Sequence, residues 1–270
     1  MPLMPPTRCE ASLCAVGRHE RIAELTDLVV PEGGRALEIA DLATGYGRTA
    51  RAILAAAPGP VRIHAVDTGP IIDDDLLHDA RVRAVLADLD EPLPFADACL
   101  DRVTSVNVAE HLADPRAHVA ECYRVLRPGG RLVLMHSDWD TTLVSSDDDT
   151  LTRRLVDAFV ATPPGFAQRA DGFMGRKLLG LADAAPFELV TVDTWADCHR
   201  RFDDDSVAWK VAGGVLAAVR DDAELAPRAA EWVRDLRRYA DEGRFVFAVT
   251  DVAVVLRRPE ASGGPVDSTG

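Results

Sequence analysis

From Arg35 onward the chain alternates short apolar runs with amphipathic stretches, and no other feature constrains its fold as tightly. A strand, a helix and a second strand of the same sheet cross over with a right hand, so repetition of the unit builds a parallel sheet with helices on both faces. The runs 36–42, 61–66, 82–87, 101–106 and 131–135 are predicted strands. Helical spacing fills 48–57, 116–126 and part of 74–80 between them. The triplet Pro128-Gly129-Gly130 marks a turn before the fifth strand. Upstream, 18–30 reads as a helix, with Ile22, Leu25 and Leu28 on one face, and 31–34 breaks it.

After Met135 the pattern changes. Residues 140–173 are polar, with one helix predicted at 151–160. A further helix at 175–184 leads to a strand at 187–194, and a final strand follows at 245–256. Between these two strands, 207–220 and 223–239 read as helices, a long insertion that suits a cap over a site. The expected organisation is an N-terminal helical segment (1–34), one domain over 35–259 with helical insertions at about 140–185 and 204–241, and a disordered tail at 260–270.

The formal net charge of −14 over 270 residues argues against a nucleic-acid partner, because a phosphate backbone needs a basic face. No run approaches the roughly 20 apolar residues of a membrane span, and the first 14 residues lack the apolar core of a signal peptide. The cysteines Cys9, Cys14, Cys99, Cys122 and Cys198 are odd in number and form no CxxC pair, which fits free thiols in a reducing cytoplasm.

The most informative stretch is Ala36-Leu37-Glu38-Ile39-Ala40-Asp41-Leu42-Ala43-Thr44-Gly45-Tyr46-Gly47-Arg48. A strand ends in an acid, and small residues then open directly into a helix whose first N–H groups are free for a ligand. Glycine turns of this kind are common, and the acidic series at successive strand ends sharpens the reading. Asp67, followed by Thr68, closes the second strand, where a carboxylate can accept two ribose hydroxyls. Asp88 closes the third and can accept an exocyclic amine, with Leu89 against the ring face. With Asp41 they mark the carboxyl rim of the sheet, where ligands bind in such folds.

The run 36–135 resembles the class I S-adenosylmethionine (SAM)-dependent methyltransferases, in the small-molecule group that includes the ubiquinone and menaquinone biosynthesis methyltransferases. The acid-x-Gly-x-Gly-x-Gly pattern is met by Asp41-Leu42-Ala43-Thr44-Gly45-Tyr46-Gly47, with Ala43 in place of the first glycine. Leu93-Pro94-Phe95 and Leu100-Asp101-Arg102-Val103 resemble its LPF and FDxV signatures, with one extra residue near Pro92 that makes Asp90 a substitute for Asp88. Asn107-Val108-Ala109-Glu110-His111-Leu112 is similar to its loop after the fourth strand. Residues 121–130 match its E-x-x-RVL-x-PGG motif. The resemblance implies a doubly wound, seven-stranded, mostly parallel α/β sheet of order 3-2-1-4-5-7-6 with its seventh strand antiparallel. It implies SAM as cofactor, with Asp41, Ala43, Gly45, Gly47 and Asn107 near the methionyl part, Asp67 and Thr68 on the ribose, and Asp88 and Leu89 on the adenine.

Methyl transfer is an in-line displacement that needs a base only when the nucleophile starts protonated. Candidates follow the fourth and fifth strands: His111, and His136 with Asp138 as its orienting acid. Trp139 would form a substrate wall or pack under the cap. A metal on His136, Asp138 and Asp140 is disfavoured, since acidic runs recur throughout the chain. Three functions compete: methylation of oxygen, nitrogen or carbon in a small molecule, a cofactor-holding scaffold or cyclase on the same fold, and a nicotinamide-dependent oxidoreductase. The last lacks a Tyr-x-x-x-Lys pair, because neither Lys177 nor Lys210 has a tyrosine four residues before it. A homodimer is left open.

Overall fold

The computed structural model describes residues 17–29, 33–163, 171–204 and 206–260. Seven strands form one sheet: β1 (Leu37–Leu42), β2 (Val61–Asp67), β3 (Val82–Leu86), β4 (Leu100–Val106), β5 (Leu126–Val144), β6 (Glu188–His199) and β7 (Phe247–Arg257). Their order is β3-β2-β1-β4-β5-β7-β6, as the sequence implies. The first five strands run parallel, and β7 is antiparallel to β5 and β6. The helices are α1 (Arg18–Leu25), α2 (Arg48–Ala56), α3 (Asp74–Leu77), α4 (Pro115–Val125), α5 (Asp149–Val160), α6 (Met174–Lys177), α7 (Val207–Ala218) and α8 (Leu225–Asp241). None is long and apolar enough to cross a membrane.

Alternation along the strands builds two cores. On one face Ala40, Leu42, Val103, Leu132, Leu134 and Val254 pack with Val119 and Val125 of α4. On the other, Leu37, Ile39, Val61 and Ile63 pack with Ala50 and Ile53 of α2, while Ile22 of α1 meets Val133, Met135 and Val255. Each such fully buried aliphatic chain contributes about 1.5–3 kcal/mol relative to exposure. A third cluster is separate: Leu155 of α5, Val211 and Val215 of α7, and Trp232 and Leu236 of α8 pack on Phe245 and Phe247. This cluster is the cap, and the insertion holds itself together through it.

Local chemistry sets the helix starts. The Asp114 side chain accepts from Arg116 N and Ala117 N at 3.0 Å, with Pro115 at the first helical position. Asp148 accepts from Leu151 N at 2.8 Å and Ser206 Oγ from Trp209 N at 3.1 Å.

Several elements differ from their expected bounds. The first helix ends at Leu25 and not at residue 30: Thr26 Oγ1 donates back to Ile22 O, and Asp27 turns left-handed at φ +54°. The helix expected over 175–184 is one short α turn followed by a 3-10 stretch, Leu178–Ala184. Gly175 there lies against the backbone of Asp138, an approach any Cβ would block. The largest change is β5, expected to stop at residue 135 but continuing to Val144. Its polar second half stays in the sheet because β7 pairs with it through Asp138↔Thr250. A register shift follows, where Thr141 and Thr142 hydroxyls donate to the carbonyls of Asp138 and Trp139. Cys99, Cys122 and Cys198 are free thiols, while Cys9, Cys14 and all but the first residue of the expected tail lie outside the described residues.

Candidate functional site

A cavity of about 960 Å³ opens at the carboxyl ends of β1, β4 and β5, under the cap. Its floor comes from the turn after β1, from Asn107 to His111, and from Trp139. Arg18 and His19 of α1 and Asp197 and His199 of β6 close one side. The roof is mostly apolar: Phe159 and Val160 end α5, and Val207, Val211, Gly213 and Gly214 line α7, with Lys210 of α7 and Arg220 beyond it also on the lining. The two glycines differ. A Cβ on Gly214 would lie 2.6 Å from the Phe159 ring, whereas one on Gly213 would meet no described atom within 4 Å.

The turn after β1 is built for close approach. Ala43, Gly45 and Gly47 all have positive φ, at +51°, +55° and +82°. Ala43 thus adopts the backbone a glycine would take, at a strain cost of about 1–2 kcal/mol. A Cβ at Gly45 would point into open space, and its N–H donates to Asp67 Oδ2 at 2.9 Å. A Cβ on Gly47, by contrast, would run into Leu76 and Ile72, so packing against the α3 region requires glycine there. Asp41 is 2% exposed, accepts from Thr44 Oγ1 at 2.7 Å and from Thr104 Oγ1 at 2.8 Å, and burial pushes its carboxyl up to about 6. These bonds tie it to the turn and to β4, and it also lines the cavity.

Asp41, Asp67 and Asp88 stand at the ends of adjacent strands β1, β2 and β3. Asp67 and Thr68 lie on the open rim beyond the cavity, where Asp67 Oδ1 accepts from Thr68 N at 2.8 Å. Asp88 is exposed and its Oδ1 accepts from Asp90 N at 3.0 Å, while Asp90 Oδ1 accepts from Ala113 N at 2.8 Å. Leu89 is 9% exposed and gives most of its surface to the core. Asn107 reaches the cavity in a left-handed conformation, φ +56°, and its Oδ1 accepts from Ser137 N at 2.8 Å.

The catalytic candidates separate. His111 lines the cavity, with Nε2 3.4 Å from Glu110 Oε1. His136 is fully buried behind it, and burial holds its imidazole down to about 4, a neutral ring at physiological pH. Asp138 is occupied: Arg176 donates to it through Nε at 2.8 Å, Nη2 at 2.6 Å and its backbone N at 2.9 Å. It therefore anchors α6 and does not orient His136, whose Nδ1 faces Ser137 O at 2.8 Å. Arg153 and Arg176 both pair with Asp140. Among the described residues no group of three or more His, Cys, Asp or Glu is placed to hold a metal.

Two parts of the site escaped sequence reasoning. Glu110 is 8% exposed, accepts from Trp139 Nε1 at 3.3 Å, and burial pushes its carboxyl up to about 7. The second is a buried ionic network. Arg18 donates through Nε and Nη2 to both oxygens of Asp251 at 2.7 and 2.9 Å, to Ser137 Oγ at 2.9 Å, and meets Asp197 at 3.1 Å. This ties α1 to β5, β7 and β6. Its sequence signal was one aspartate, Asp251, inside the apolar run of β7, since a buried charge requires a partner.

Residues 40–134 match a family described as a methyltransferase domain. Over 98 residues the chain is 40% identical to a malonyl-[acyl-carrier protein] O-methyltransferase of Hahella chejuensis, covering 36% of this chain and 35% of that one. Over 104 residues it is 33% identical to a ubiquinone/menaquinone biosynthesis C-methyltransferase of Geotalea daltonii, covering 36% and 44%. The chain spans less than half the length of the curated relatives it matches first. Among solved structures, a geranyl diphosphate methyltransferase in complex with SAM aligns with a TM-score of 0.51 at 15% identity, covering 89% of this chain and 84% of that one. A [4+2]-cyclase aligns at 0.50 and 16%, covering 90% and 82%, and both likenesses are of fold alone.

Proposed function

Starting from a chain that carries a methyltransferase domain over residues 40–134, we propose that it transfers the methyl group of SAM to a small molecule. One observation carries this reading: the cavity that begins at Gly45 and Asn107 continues without a break beneath the apolar cap. Its volume lies at the upper end of the range for small-molecule sites, with room for part of a cofactor and an acceptor. The residues fit the cofactor. Gly45 leaves its Cβ side open, and the half-buried Asp67 and the exposed Asp88 stand in line along the rim for the hydroxyls and amine of an adenosine. When bound, SAM supplies an electrophilic methyl on a sulfonium.

The chain's own residues do the rest. Ala43 and Asn107 hold the left-handed turns that shape the methionyl end. Phe159, Val160 and Val211 give the acceptor an apolar roof that sheds water, and Glu110 and His111 give the floor its polar groups. The relatives act on varied molecules, so the acceptor is read from the cavity: a largely apolar body with a polar head toward Glu110. The net charge of −14 favours a small neutral or cationic acceptor over nucleic acid, and the three free thiols among the described residues suit work in the cytoplasm. Ala43 keeps the glycine-like turn, so it does not single out a non-methylating scaffold.

Calorimetric titration with S-adenosylhomocysteine and, separately, NAD tests the reading. Micromolar binding of the former without the latter is expected. Binding of NAD alone would reject it.

A further inference from the structure

We propose that Glu110 is the general base of the site, and that His136, whose bare Nε2 faces it, holds it as a carboxylic acid until a methyl acceptor arrives. The inference rests on the methyl-transfer reading above and narrows it to acceptors that carry a dissociable proton on the attacking atom.

The geometry starts from His136. Its Nδ1 lies 2.8 Å from the carbonyl oxygen of Ser137. A carbonyl can only accept, so Nδ1 carries the hydrogen, and in a neutral ring Nε2 is then a lone pair. That atom is buried and has no hydrogen-bond partner among the described residues. It faces Glu110 Oε1 across 3.6 Å. With Glu110 ionised, two lone pairs would oppose each other in a dry site. A proton on Glu110 reverses that, and a small rotation of the carboxyl completes an O–H···N bond.

The groups around the carboxyl agree. Trp139 of β5 donates to the same Oε1, and His111 approaches it from the same 3-10 turn. Asp171, ahead of α6, adds negative charge that further disfavours ionisation, and Arg18 of α1 acts on His136 by keeping it neutral. Burial is the largest cause, and it pushes Glu110 up to about 7. A base is most effective when it titrates near the working pH.

The step balances simply. Binding of X–H, itself a donor to the carboxyl, displaces the resting proton of Glu110 to water, and X–H then passes its own proton to the carboxylate while X forms its bond to the methyl carbon. The electron pair of the broken sulfur–methyl bond stays on sulfur. The product leaves neutral, and Glu110 is left as the carboxylic acid that waits for the next acceptor. Glu110 touches the cavity and is the catalytic residue, and His136 is a positioning residue. The acceptors that need such a base are phenols, enols and carbon acids. A free amine, with a lone pair already available, does not.

The test needs no substrate. Side-chain carboxyl 13C shifts of glutamate-labelled protein, assigned with E110Q, give the titration midpoint of Glu110, and ring 15N shifts give the His136 tautomer. A midpoint between about 6 and 8, with His136 neutral and protonated on Nδ1 at pH 7, is expected. A midpoint near the ordinary glutamate value, or a proton on Nε2, overturns the proposal. H136Q offers an amide N–H to the carboxylate and should lower the midpoint by about one unit. An unchanged midpoint overturns the role of His136, and wild-type protein supplies the tautomer if that variant does not fold. S-adenosylhomocysteine titration separates the two failures. A chain that does not bind it fails the methyl-transfer reading, whereas one that binds it while Glu110 titrates near 4.5 fails this proposal alone.

Discussion

Replacing Arg18 with methionine removes the cation that faces two carboxylates, the fully buried Asp251 and the mostly buried Asp197. Among the described residues Asp251 then keeps only the Ser137 hydroxyl, 2.7 Å away, as a side-chain donor. An unpaired carboxylate in that position takes up a proton. Neutralising an aspartate of ordinary value 3.8 at pH 7 costs about 4.4 kcal/mol, which caps the loss. Burial already raises Asp251 against the pull of Arg18, so the wild type bears part of this cost. The expected destabilisation is about 3 kcal/mol at pH 7, at the low end for breaking a buried pair. The sign with pH follows. The folded variant holds its Asp251 proton above the unfolded value, so the variant is relatively most stable in acid and loses ground as pH rises. The deficit should shrink by roughly 1.4 kcal/mol per pH unit below 7. Urea denaturation followed by tryptophan fluorescence at pH 7 and pH 5 measures both quantities, and R18M/D251N should recover most of the loss. A deficit under about 1 kcal/mol, or one equal at the two pH values, would refute the account.

Gly47→Ala forces a methyl group into Leu76 at φ +82° and should cost about 2–3 kcal/mol, with partial rescue by L76A in the same denaturation assay. Ala43→Gly relieves left-handed strain against a more flexible unfolded chain, so a net gain of about 0.5 kcal/mol is expected, visible as a higher melting temperature. Asp67→Ala frees the Gly45 N–H and removes a rim carboxylate; S-adenosylhomocysteine affinity should fall at least about tenfold by calorimetry. A drop below twofold would remove Asp67 from the ligand site.

The parallel half of the sheet was legible because each strand is bounded by turn residues and alternates its apolar side chains between two cores, as Ile39 and Ala40 do. The cap was legible as helices, since Val211, Val215, Trp232 and Leu236 keep helical spacing. The second half of β5 was not. Ser137, Asp138 and Asp140 read as loop, and only their distant partners Arg18, Asp251, Arg153 and Arg176 make them strand or strand edge. For the same reason His136 looked like an accessible base. Its place in the chain is right for one, but its depth is set by packing that spacing does not encode. Glu110 was read only as part of the loop after the fourth strand, because a glutamate beside a histidine is ordinary until burial is known.

The paired glycines of α7 point to a practical handle. A side chain at 214 would have to displace the Phe159 ring and prise two helices apart, so that position is closed to variation. One turn face away, residue 213 looks onto vacancy among the described residues, and its glycine weakens the helix by roughly 1 kcal/mol relative to alanine. Grading that single site from glycine through alanine to valine would therefore shorten the chamber stepwise, retuning which acceptors are admitted while the proton chemistry below is left alone.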